Sequence, residues 1–84
     1  MLAKLQALAN PHRLAIARLC IEQPRDVTEI TDLIGLSQSA TSQHLKHMRD
    51  AGLLTYDRDG TRFIYRWRAE YPNGFFATIV GIDL

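Results

Sequence analysis

Eighty-four residues, 46% of them hydrophobic and 23% charged, make a single small domain with enough apolar material to fold, and exclude a disordered or low-complexity chain. The longest apolar runs are a few residues, too short to span a bilayer. The single cysteine rules out an intramolecular disulfide, and the N-terminal MLAKLQALANPHR lacks the continuous apolar stretch of a secretory signal, so a reducing cytoplasm is the expected setting.

In chain order, Leu2, Leu5, Leu8 and Ala9 recur at helical spacing and predict a short first helix. Asn10-Pro11 restarts the chain, Asn10 as a cap and Pro11 at the first helical position. His12 to Gln23 then reads as a largely buried helix with Ile16, Leu19 and Cys20 inward, ended by Pro24. Asp26-x-x-Glu29 has the form of a capping box, followed by Ile30, Leu33 and Ile34 as an apolar face, with Gly35 suited to a left-handed terminus. Ser37 caps the next helix, Gln38 to Ala51, which Gly52 stops. Two short helices around a glycine-containing turn of about three residues form a helix-turn-helix, here residues 27–51.

Beyond Gly52 the pattern becomes strand-like. Leu53 to Arg58 and Thr61 to Arg68 flank Asp59-Gly60, a strong hairpin signal, and residues 53–68 are expected to form a two-stranded wing. Phe63, Tyr65 and Trp67 alternate with Arg62, Ile64, Arg66 and Arg68, giving one aromatic and one mostly cationic face. The order of elements is that of a winged helix-turn-helix: mainly α, about four helices, a small antiparallel hairpin and a short C-terminal segment over residues 72–84, all in one domain.

The net charge of +1 is unevenly spread. His44 to Arg68 holds six cations and three anions, against four cations and six anions elsewhere. That polarisation matches an electrostatic footprint on nucleic acid. With Thr41, Leu45 and Met48 inward on the fourth helix, Ser39, Ser42, Gln43, Lys46 and His47 point out. The outward face is short and polar at its start and cationic further on, a layout for base edges first and phosphates later. Glutamine pairs bidentately with adenine, and serine donates or accepts at several edges. Arg58 and Arg62 flank the wing tip at Gly60, where guanidinium groups reach phosphates or a narrow minor groove; the alternative is pairing with Asp57 and Asp59.

The run Leu36-Ser37-Gln38-Ser39-Ala40-Thr41-Ser42-Gln43-His44-Leu45-Lys46 resembles the recognition helix of the ArsR/SmtB family of bacterial repressors. Leu8-Ala9-Asn10-Pro11-His12-Arg13-Leu14 resembles the entry to that family's second helix. Asp50-Ala51-Gly52-Leu53-Leu54 and Gly60 to Tyr65 resemble its helix exit and wing. The resemblance covers residues 5 to 67. It implies a homodimeric DNA-binding regulator, a repressor released from a dyad-symmetric operator by an inducer. The residues it assigns to double-stranded DNA are Ser37, Gln38, Ser39, Ser42, Gln43, His44, Lys46, His47, Arg58, Gly60 and Arg62. It places the dimer interface in the first and last helices, here Leu2, Leu5 and Leu8 with Phe75, Phe76, Ile79 and Val80.

The family's arsenic and soft-metal type carries a Cys-Val-Cys-Asp-Leu run, where this sequence has Asp26, Val27, Thr28, Glu29 and Ile30. The zinc and cobalt type draws aspartate and histidine from a C-terminal helix, and no histidine follows His47 here. Neither a metal nor another cofactor is therefore expected. Cys20 lies among inward positions and reads as a small core residue. No nucleophile arrangement or phosphate-cradling loop suggests an enzyme. A winged helix that binds protein rather than DNA, and a regulator switched by a small organic ligand or a redox signal at the dimer interface, remain the alternatives.

Overall fold

A computed structural model describes residues 2–68. Four helices and three short strands follow in the order α1 (Leu2–Leu8), α2 (Pro11–Glu22), β1 (Arg25–Asp26), α3 (Val27–Ile34), α4 (Gln38–Asp50), β2 (Leu54–Asp59) and β3 (Arg62–Trp67). The helix starts are set by side-chain caps that satisfy otherwise unpaired backbone N–H groups. Asn10 Oδ1 accepts from the backbone of His12 at 2.9 Å and Arg13 at 3.1 Å. Asp26 Oδ1 accepts from Glu29 N at 2.8 Å, and Ser37 Oγ from Ala40 N at 3.1 Å. The capping box is only half formed, because the Glu29 carboxylate turns to Arg25 Nη1 at 3.1 Å instead of back to the cap. At the end of α3, Gly35 takes φ +80°, the left-handed conformation expected there.

The core gathers one face of each helix. Ile16 and Ala17 of α2, Ile30 of α3, and Thr41, Leu45 and Met48 of α4 are wholly buried, with Leu53 and Leu54 leading into the sheet. Thr41 is the polar member of this set, and its hydroxyl donates to Ser37 O at 2.9 Å, so its own donor is satisfied. Two expected positions differ. Leu8 is sealed in the core rather than offered to a partner, since the last turn of α1 packs on α2 and α4. Leu33 is 55% exposed, because the eight-residue α3 presents only the Ile30 side to the core.

The sheet has three antiparallel strands in the order β1-β3-β2, not the two of a bare hairpin. Arg25 pairs with Tyr65 and Asp26 with Ile64. A two-residue strand has no alternation to read, and Asp26 carries the signal of a helix cap instead. The hairpin turn also sits one residue later than the sequence suggested: Asp59 pairs with Arg62, leaving Gly60-Thr61 as the loop. Gly60 adopts φ +64° while Thr61 does not take a positive φ, the glycine-first order that type II′ turns favour. Among the described residues no helix is long and apolar enough to cross a membrane. The expected C-terminal segment, with Phe75, Phe76, Ile79 and Val80, lies outside the described residues.

Candidate nucleic-acid interface

Because Thr41, Leu45 and Met48 hold α4 against the core, its opposite face is fixed outward. Ser37, Gln38, Ser39, Ser42, Gln43, Lys46 and His47 are all exposed. His44 is half-buried, at the edge where α4 meets the start of α2. The outward face is thus the polar set read from periodicity, with His44 partly withdrawn from it. Lys46 Nζ donates to Asp50 Oδ2 at 2.7 Å, an exposed pair one turn apart that also holds the Asp50 carboxyl below the ordinary aspartate range.

Beside α4 stands the wing, and a hollow of about 220 Å³ separates them, lined by Val27, Gln38, Ser42, Phe63 and Tyr65. Tyr65 is buried, and burial pushes its phenol up. Arg58 and Arg62 lie on either side of the tip, both exposed. Arg58 Nε donates to Gly60 O at 3.2 Å, and its guanidinium carbon sits 5.4 Å from the Phe63 ring centre. Arg62 does not pair with the neighbouring aspartates. It donates twice to Asp26 Oδ2, from Nη2 at 2.8 Å and Nε at 3.2 Å. Asp57 instead accepts from Arg66 Nε at 2.6 Å. The Asp26 carboxyl is held below its ordinary value, first by the Glu29 N–H it caps and then by Arg62.

Sequence reasoning passed over three residues. Arg25, 7% exposed, donates through Nε to Leu19 O at 3.2 Å and pairs with Glu22 and Glu29, joining α2, β1 and α3. Arg13 reaches from α2 to α1 and to His44. His12 rests beside His44, ring centres 5.7 Å apart. Arg13 and His12 belong to the Asn10-Pro11-His12-Arg13 run, a signal for their importance, but their partners are tertiary. Among the described residues no group of three or more histidine, cysteine or acidic side chains stands together as a metal site. Cys20 is buried, and burial pushes its thiol up to about 12.

Comparison with known proteins places this geometry in context. The family described as "Bacterial regulatory protein, arsR family" matches residues 10–56. The HTH-type transcriptional regulator YgaV of Escherichia coli (strain K12) is 41% identical over 81 residues, 95% of this chain and 82% of that protein. The HTH-type transcriptional regulator NmtR of Mycobacterium tuberculosis is 43% identical over 61 residues, 73% of this chain but 51% of that protein, so the chain spans about half of that relative's length. Among solved structures, the homodimeric winged helix-turn-helix DNA-binding domain of Mb0332 from Mycobacterium bovis, described as a possible ArsR-family transcriptional regulator, superposes with a TM-score of 0.83 at 32% identity, covering 92% of this chain and 71% of that one.

Proposed function

The chain belongs to the arsR family of bacterial regulatory proteins, and from that premise we propose that it is a sequence-specific double-stranded DNA-binding regulator, a dimeric repressor acting on an inverted-repeat operator. The observation that carries this reading is the exposed polar face of α4, held outward by a buried stripe and flanked by an arginine-bearing wing. Ser37, Gln38, Ser39, Ser42 and Gln43 read base edges in the major groove, where short polar side chains meet donors and acceptors. Lys46, His44 and His47, further along the helix, meet phosphates, as do Arg58 and Arg62 around Gly60 on the wing. Phosphate contacts supply affinity without sequence information, and base contacts discriminate.

The dimeric reading is supported by the solved relative described as homodimeric. Leu2 is 68% exposed and Leu5 half-buried, so α1 offers apolar surface to a second subunit; the proposed interface also assigns Phe75, Phe76, Ile79 and Val80, which lie outside the described residues. Two copies would address half-sites about one helical turn, roughly 10 bp, apart. The Asp26 and Glu29 carboxylates at the start of α3 are already engaged, since one caps α3 and holds Arg62 and the other holds Arg25.

The test is an equilibrium titration of labelled duplexes at several salt concentrations. The reading expects one class of duplex to bind much more tightly than the rest, with affinity falling steeply as salt rises. Equal, weak binding to every duplex would contradict it.

A further inference from the structure

Arg13 makes three contacts that no local pattern explains. Its Nε donates to Ala7 O at 2.6 Å and its Nη2 to Gln6 O at 3.5 Å, both carbonyls in the last turn of α1. Gln6 O also accepts from Ala9 N at 3.2 Å, and a cation at the carbonyl end of a helix is stabilising. The third nitrogen, Nη1, lies 3.4 Å from His44 Nδ1 on α4. A guanidinium can only donate. A hydrogen bond at this contact therefore calls for the lone pair on Nδ1, the arrangement of a neutral ring with its proton on Nε2.

We propose that Arg13 is a positioning residue for α4: it anchors on α1, holds His44 in one place, and fixes it as a neutral ring whose single donor, Nε2–H, serves a DNA phosphate or base acceptor. The groups that bear on the charge of His44 all point the same way: Arg13 and His12 from α2 and His47 from α4. Burial, followed by these neighbours, holds the ring below the ordinary histidine range. Protonation would set an imidazolium against a guanidinium and abolish the acceptor, so acidification works against this arrangement. The role assigned toward DNA rests on the function proposed above; the tautomer and its dependence on Arg13 do not.

Long-range ¹⁵N–¹H spectra of ¹⁵N-histidine-labelled protein, followed through a pH titration, read the tautomer directly. In the parent protein at neutral pH, His44 should show an unprotonated Nδ1 and a protonated Nε2, and should protonate below the ordinary histidine range. In Arg13→Gln, with Arg13→Lys as the milder variant should the first unfold, His44 should become a tautomer mixture and protonate at higher pH. An Nδ1–H tautomer in the parent, or a His44 titration indifferent to both variants, would overturn the proposal. DNA titration separates the two claims. The glutamine amide of His44→Gln offers a donor near the Nε2 position and should keep most of the parent's affinity, whereas His44→Asn should lose about tenfold. Equal affinity in both would overturn the DNA role of the ring. Failure of the parent itself to bind any duplex would sink the repressor reading, leaving the spectra to decide the role of Arg13.

Discussion

Asp26 and Arg62 lie 36 residues apart and meet through one carboxylate oxygen, Oδ2, which accepts from both Nη2 and Nε of the arginine. The other oxygen of Asp26 caps α3. One side chain thus starts the helix-turn-helix and ties the tip of the wing to it. It also engages two of the guanidinium nitrogens of Arg62, so in the proposed wing contact a DNA phosphate would compete with Asp26 for them.

Asp26→Asn separates those roles, because asparagine caps a helix as well as aspartate but carries no charge. Its folded stability should fall by less than about 1 kcal/mol, the scale of an exposed ion pair. Affinity for all duplexes should rise by up to about fivefold as Arg62 is released, on the same scale. Arg62→Ala should weaken binding to every sequence and reduce the salt slope by about one unit. Fluorescence anisotropy over a salt series measures both. A gain in Asp26→Asn that persists in the Arg62→Ala background would show that the pair is not its cause.

The same carboxylate predicts the acid limb of stability. Its folded value is lowered from 3.8 by the Glu29 N–H and by Arg62, so its contribution is present above 3.8. Below that, protons bind the unfolded chain more readily, and the contribution is lost as pH falls through the lowered folded value. Urea unfolding at stepped pH should therefore show stability declining below about pH 4. The decline should be shallower in Asp26→Asn, and identical acid limbs in the two proteins would argue against the assignment.

Gln43 is exposed one turn before His47 on the outward face of α4. As a base-reading residue its loss should relax discrimination rather than abolish binding. Gln43→Ala is expected to cost about 1–3 kcal/mol at the preferred base and almost nothing on duplexes that lack it. Titration against single-base variants of a selected site measures this. A uniform loss across all duplexes would reassign Gln43 to the backbone.

Cys20 should be inert. Its thiol is buried, 3% exposed, and held up to about 12, so almost no thiolate exists near neutral pH. Mild peroxide should leave DNA affinity unchanged. A peroxide-dependent loss of binding that disappears in Cys20→Ser would contradict this.

Much of the fold was legible because its signals are local. Asn10-Pro11, Ser37 and Gly35 mark helix boundaries through backbone hydrogen bonds within a few residues. Thr41, Leu45 and Met48 could be placed inward by angle alone, and all three are fully buried. What escaped depends on partners distant in sequence. Strand β1 exists only because β3 supplies its hydrogen bonds, so Asp26 looked like nothing but a cap and Arg25 carried no signal. The exposure of Leu33 reflects how short α3 is and what it packs on, which periodicity does not encode. On the candidate site, the outward α4 residues followed from the helix. The restraint of Arg62 by Asp26 and of His44 by Arg13 did not, since each joins separate elements.

The central claim is that two copies of this chain read an inverted repeat through the outward face of α4. Selection of bound duplexes from a random pool, at stated salt, tests it most directly. The account predicts recovery of two half-sites in inverted orientation about 10 bp apart, with enrichment weakened in Gln43→Ala. Recovery of a single unpaired half-site, or of no enriched sequence at all, would contradict it.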